Sequence, residues 1–257
     1  MSVWGKWLCQ ITVPTGGWAF AYDDGDGQIS TIPAGDYASI LELCAELEDQ
    51  MNDDSSDFTV AVSATGLVTV TRGSGWTITW GSTADDLSDL LGFEEDESVS
   101  SDVLTATNRH KYGWYPGTIS HGVTRGDGVA ADSAWRAADE VGRVMAGSGA
   151  VAAIKPPRRR YERSVRYGAI RRSEWNDKDR GPALLEEAAA TAPVCWYPDR
   201  DKGTVASTGT QGDPADDRAD SSCDYWLCDV ADDPDIQWNN QHPDIGSVAV
   251  RVTGRAD

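Results

Sequence analysis

The chain has 257 residues, 40% of them hydrophobic and 25% charged, which are the proportions of a folded globular protein and not of a disordered or fibrous one. At this length one large or two ordinary domains bury roughly 70 to 75% of the surface that the unfolded chain exposes, so folding needs no disulfide. The net charge of −20 argues against free binding to nucleic acid, which requires a basic face to displace phosphate counterions.

The charge is unevenly spread. Residues 1–107 hold 2 basic and 19 acidic residues, residues 108–172 hold 13 and 5, and residues 173–257 hold 7 and 18. Acidic blocks around a basic one suit self-association through complementary surfaces, with solubility as the competing explanation. No run of about 18 apolar residues occurs, so no membrane-spanning helix is expected. The start MSVWGKWLCQ lacks the apolar stretch of a signal peptide, and synthesis and folding in a cytoplasm are expected. The cysteines, Cys9, Cys44, Cys195, Cys223 and Cys228, are odd in number and irregular in spacing, which reads as reduced and mostly buried thiols. A zinc site would want a further Cys or His pair, which the three scattered histidines do not supply.

Taken in order, Trp4 to Val13 reads as an opening strand, broken from Trp18–Tyr22 by Gly16-Gly17. The run Asp23-Asp24-Gly25-Asp26-Gly27 has the residues of a tight turn and not the ligand spacing of an EF-hand loop, and Gln28 to Ile32 resumes as a strand. Ile40, Leu41, Cys44, Leu47 and Met51 then recur at helical spacing, with Asp36 or Ser39 placed to cap the helix and Glu42, Glu46, Glu48 and Asp49 turned to water. Three alternating runs follow, Phe58–Val62, Leu67–Thr71 and Trp76–Trp80, and a helical turn ends at Leu90-Leu91-Gly92-Phe93. In that turn Leu90, Leu91 and Phe93 can plug an open sheet end while Gly92 takes the left-handed exit of a helix.

The succession IPAGDYASILELCAELEDQM, FTVAVSATGLVTVT, GWTITW and DLLGF resembles a module that recurs in virion proteins of tailed bacteriophages and some other double-stranded DNA viruses. There a strand, an "IP-G-Y" helix start, a β-hairpin, a further strand and a terminal "LLGF" follow in that order. The resemblance covers about residues 10–95.

Glu94 to Ser101 is acidic and polar and marks a candidate boundary. Beyond it, Arg125-Gly126-Asp127 spells the integrin-binding tripeptide, a match short enough to arise by chance. His110 and His121 have no partners at ligand spacing and read as solvated or structural. Residues 140–154 suit a β-strand and turn pair and lack the phosphate-loop pattern. The most basic stretch, Lys155 to Tyr167, reads either as a DNA-contacting patch or as an alternating strand. In the latter, Tyr161, Arg163, Val165 and Tyr167 take one side and Glu162, Ser164 and Arg166 the other, with arginines that pair with carboxylates of a neighbouring subunit.

The segment from Ser173 to Ala190 suits a helix, capped at Ser173 or interrupted near Gly181-Pro182; Val194–Asp199 is a strand ending in a turn. Residues 201–222 form a Gly-, Asp-, Ser- and Thr-rich loop, and Ser247–Val252 is a last alternating strand. The order of basic strand, acidic-Trp segment, helix and aromatic strand over about residues 155–200 is similar to the core of many phage tail and baseplate proteins, β-sandwiches with one helix on a flank.

The expected fold is mainly β with α+β character, in two β-sandwich-like domains, 1–101 and 102–257, each with a helix packed on a flank. No motif marks a catalytic pair, a nucleophile, a metal site or a cofactor site, so no enzyme is expected. The two resemblances imply a structural subunit of a tailed-phage virion, a ring-forming tail, tail-tip or baseplate component made in the host cytoplasm. Its partners would be copies of itself and other virion tail or head proteins, without membrane, and without nucleic acid except for contact with DNA in a tail lumen. Arg158, Arg159, Arg160, Arg163 and Arg166 are the candidates for inter-subunit pairing. The alternatives are a head or vertex protein, or a glycan-binding module in which exposed Trp4, Trp7, Trp18, Trp76 or Trp114 stack on sugars.

Overall fold

The computed structural model describes residues 5–23, 25, 27–53, 57–73, 75–80, 85–94, 102–116, 130–131, 136–138, 142–145, 151–154, 160–199, 201–204, 209–212, 223–231 and 234–254, with the side chains of 85–86, 130–160, 169 and 189–191 excepted. The N-terminal part supplies β1 (Lys6–Cys9), β2 (Ile11–Val13), β3 (Trp18–Asp23), β4 (Gln28–Ile32), β5 (Gly35–Tyr37), α1 (Ile40–Asn52), β6 (Thr59–Val62), β7 (Val68–Thr71), β8 (Thr77–Trp80) and α2 (Asp85–Leu91). There follow β9 (Val103–Thr105), β10 (Gly113–Trp114), β11 (Ala130–Ala131), β12 (Arg136–Ala138), β13 (Gly142–Met145), β14 (Val151–Ile154), β15 (Arg160–Arg171), α3 (Arg172–Trp175) and α4 (Leu184–Thr191). The chain finishes with β16 (Val194–Tyr197), β17 (Trp226–Val230), β18 (Asp235–Trp238) and β19 (Ile245–Gly254). The architecture is mainly β with α+β character, as expected.

α1 forms where the apolar spacing predicts it. The Ser39 hydroxyl accepts a hydrogen bond from the Leu41 N–H at 3.3 Å, and Glu42 reaches back to the Ala38 N–H, so two donors at the helix start are satisfied. Ile40, Leu41, Leu43, Cys44, Leu47 and Met51 are buried. At the far end Asn52 both donates to the Phe58 carbonyl and accepts from its N–H, and Glu48 accepts from the Val60 N–H at 2.7 Å, which ties the helix to β6.

The three alternating runs from Phe58 to Trp80 divide between two small antiparallel sheets. β8 joins β3 and β4, with Phe20 opposite Trp80, while β6 and β7 pair with each other and then with β9. Alternation reports which face of a strand is buried but not which strand lies beside it, and the partner here is chosen by long-range packing. The opening strand is likewise two strands, since β1 and β2 part at Gln10 and enter different sheets. Residues 140–154, read as a β-strand and turn pair, contain two strands, β13 and β14, paired antiparallel. Of the two readings of Ser173–Ala190, the interrupted helix is the one found: α3 and α4 are separated at residues 176–183, which include Gly181-Pro182, and Ser173 is not a cap.

The largest sheet runs β10-β1-β16-β17-β19-β15-β11, with β18 beside β19 and β12 beside β15, all antiparallel. Its β1–β16–β17 section is covered on both faces. Leu8, Cys195 and Tyr197 enter one core, formed with α1 and the small sheets; Trp7, Cys9, Val194, Trp196, Trp226 and Cys228 enter a second core, formed with α4, β15 and β19. The expected 1–101 and 102–257 division is therefore crossed in both directions: β1 pairs with β10 and β16, and β9 with β7. Two cores share one wall, and α1 and α4 flank them on opposite sides of it.

Candidate functional site

β15 alternates as the sequence suggests. Val165 and Tyr167 are buried, Tyr161 and Arg163 are partly buried on the same side, and Glu162 and Arg166 are exposed on the other. Between Tyr167 and Ile170 the register against β19 slips by one residue, so Ile170 is buried and Arg171 faces out beyond it. Of the five arginines singled out as a group, Arg163 and Arg166 therefore do not act alike. Arg166 lies on the outer face opposite Ala249, two pairs along from Arg251 opposite Ser164. Arg163 is turned the other way, its guanidinium carbon 4.7 Å from the Trp196 ring centroid, where the apolar stem covers the core and the charge rests on the indole face. Arg158 and Arg159, and the side chain of Arg160, lie outside the described residues.

Leu90–Phe93 closes the end of α2. The Phe93 N–H donates to the Ser88 carbonyl at 2.9 Å and the Gly92 N–H is shared between Ser88 and Asp89, the double closure of a Schellman end. Gly92 has φ +87°, and a Cβ there would run into the Asn108 carbonyl. Leu90, Leu91 and Phe93 are buried, and Phe93 stacks on Trp80 with centroids 5.3 Å apart.

Behind the plug, residues 106–115 bind the two cores together. Asn108 N–H donates to Gly92, His110 N–H to Gly66 and Lys111 N–H to Leu90, all toward the first core. Tyr112 N–H donates to Asp179, Cys9 N–H donates to the Tyr112 carbonyl, and Arg180 Nε donates to the Arg109 carbonyl, toward the second. Lys111 pairs with Asp89 and lies 3.8 Å from Asp179. Tyr112 holds the left-handed region at φ +59°, a conformation that an L side chain adopts only when its neighbours dictate it.

Three titratable side chains buried in or beside this wall were not singled out as buried by the sequence. His110 is fully enclosed; its Nδ1 lies 2.7 Å from the Lys111 carbonyl, which can only accept, so Nδ1 carries the proton and Nε2 accepts from the Tyr115 hydroxyl at 2.7 Å. Burial, with some help from nearby cations, pulls the imidazole down to about 4. Lys6 donates to the Gly203 carbonyl at 2.8 Å and sits 4.9 Å from the Tyr197 ring centroid; burial lowers it to about 8 against the opposing pull of Asp199 and Asp201. Glu174 accepts from the Trp114 indole N–H at 2.8 Å, and burial raises its carboxyl above the usual range. A lone Lys between two Trp in WGKWLC is the one local signal, since an isolated charge inside an apolar run is placed by its partners.

Of the tryptophans named as sugar-stacking candidates, Trp7, Trp18, Trp76 and Trp114 are buried, and Trp4 lies outside the described residues. Asp23 closes a turn, accepting from the N–H groups of Gly25 and Gly27, while Asp24 and Asp26 fall outside the description. His121 and Arg125-Gly126-Asp127 fall outside it too. Among the described residues no group of three or more His, Cys, Asp or Glu gathers as a metal site, no helix is long and apolar enough to cross a membrane, and no disulfide joins the cysteines, of which Cys9, Cys44, Cys195 and Cys228 are buried. The chain matches no protein-family model, no curated protein and no solved structure.

Proposed function

We propose that the chain is a structural subunit of a tailed-phage virion, a tail, tail-tip or baseplate component that assembles with its own copies into a ring through protein–protein contacts. The observation that carries this reading is the placement of the aromatic residues. Trp7, Trp18, Trp76, Trp80, Trp114, Trp196 and Trp226 are all buried, which builds a stiff scaffold and leaves no row of solvent-facing aromatics among the described residues to receive a sugar. The outer face of β15 and β19 is polar, with Glu162, Ser164, Arg166, Ser247, Arg251 and Thr253 on it, a surface suited to the modest, charge-matched contacts of subunit assembly. The charge blocks supply the complement, because residues 1–107 carry 19 acidic side chains against 2 basic ones. The resemblances over residues 10–95 and 155–200 point to the same class.

Of the arginines offered for inter-subunit pairing, the proposal rests on Arg166. The experiment is light scattering after size exclusion on the wild type and on Arg166→Glu at low salt. Loss of the assembled species in the variant, with an unchanged circular dichroism spectrum, supports pairing through this face; identical masses count against it.

A further inference from the structure

At the end of β15 a cleft of about 500 Å³ is lined by Arg171, Arg172, Ser173, Asn176, Asp244 and Ile245. Arg172 is fixed in it from three sides. Its backbone N–H donates to the Asp244 carbonyl at 2.9 Å, its Nη2 donates to the Pro243 carbonyl at 3.0 Å, and its guanidinium carbon lies 4.4 Å from the Trp238 ring centroid. Trp238 in turn packs against Gly246, the residue opposite it on β19, where an added Cβ would come within 2.9 Å of the indole. Glycine, indole and guanidinium are thus layered, and an exposed arginine that would otherwise sample many rotamers is held in one place. Pro243 takes one of five N–H donors, and a planar fork with donors to spare, beside a second arginine and the polar Ser173 and Asn176, matches the oxygens of a carboxylate.

We infer that this cleft receives carboxylate side chains from the acidic surface of a second copy of the chain. The inference rests on the ring-forming reading and names a contact within it. Charge selects the occupant. Residues 108–172, with 13 basic and 5 acidic side chains, form the basic block that ends at Arg172, and residues 1–107 of a second copy, with 2 and 19, carry the acidic side chains that complement it. A cleft on one copy that takes a different surface of the next is a head-to-tail contact, the kind that closes into a ring when the rotation permits. The Asp244 carboxylate at the same cleft opposes the guest, so it sets an upper limit on how tightly the contact holds.

Sedimentation equilibrium of the full chain at about 50 mM salt, where the Debye length exceeds roughly 10 Å and exposed charges are only partly screened, tests this with Arg172→Gln and Asp244→Asn. The expected result is that Arg172→Gln weakens self-association roughly tenfold and Asp244→Asn, which keeps the backbone acceptor, tightens it several-fold. If the wild type assembles and neither variant shifts it, the cleft is not the contact, and the ring-forming reading survives. If Arg172→Gln does not fold, Asp244→Asn decides alone: tightening supports the inference and no change overturns it. A wild type that is monomeric at this salt overturns both, and so does a monomer that instead binds an added single-stranded oligonucleotide.

Discussion

The Trp7 indole N–H donates to the Tyr167 hydroxyl at 2.7 Å, joining β1 to β15 across 160 residues of sequence. The bond is one link in a buried chain of contacts: Trp7 stacks on Trp196 with centroids 5.5 Å apart, Tyr167 meets the Trp114 ring edge-on at 4.8 Å, and Trp114 donates to Glu174. Tyr167→Phe removes the acceptor and leaves a buried indole N–H without it, at a cost of about 1 to 3 kcal/mol. Because β1 and β16 are packed on both faces, the two cores are expected to unfold in one transition. Urea unfolding followed by tryptophan fluorescence and by far-ultraviolet circular dichroism checks both points; two separated transitions would show that the shared wall does not couple the cores.

His110 predicts an acid sensitivity of definite sign. Its imidazole is held at about 4 in the folded chain against an ordinary 6.5, so between those values the unfolded state binds the proton and the folded state does not. Stability from this group is full above pH 6.5 and falls as pH drops toward 4, by about 3 kcal/mol across the window. Carboxylates titrate there as well, so the readout is the difference between wild type and His110→Gln in urea midpoints over that range. The wild type should lose stability faster; parallel curves would contradict the buried neutral histidine.

Lys6 acts in the opposite pH range. Its folded value, about 8, lies below the ordinary 10.5, so the unfolded chain holds the proton more readily between the two and stability contributed at this position rises with pH across that window. Relative to Lys6→Met, the wild type should gain stability from pH 8 to 10.5, measured by chemical denaturation. A flat difference would mean that the ammonium is solvated and not held under Gly203.

Gly92→Ala tests the plug. The substitution forces a side chain into φ +87° and against the Asn108 carbonyl, so a loss of about 2 kcal/mol or more is expected. Asp102→Ala, at an exposed position on the same side of the wall, should change stability far less.

Much of the local structure is written in the sequence. Trp18–Tyr22 and Ser247–Val252 alternate because each has one wet face, and α1 is marked by its apolar stripe and by Ser39. What the sequence does not carry is partnership. β1 reads as a continuous apolar run with a lysine in it because both of its faces are buried, and nothing local says that it lies between residues 113–114 and 194–197. The strand Gly35–Tyr37 reads as a helix approach because its three residues are too few to show a period, and only pairing with β2 makes it a strand. Arg163 and Arg166 look equivalent in a basic run; alternation separates them, but only the core behind Trp196 shows that the inward one is occupied within the chain.

The central claim, that this chain is a self-assembling structural subunit, is met most directly by the native mass of the purified protein from light scattering after size exclusion, at low and at high salt. The account predicts a discrete oligomer that loosens as salt screens its charge-matched contacts. A monomer at both salt concentrations would contradict it.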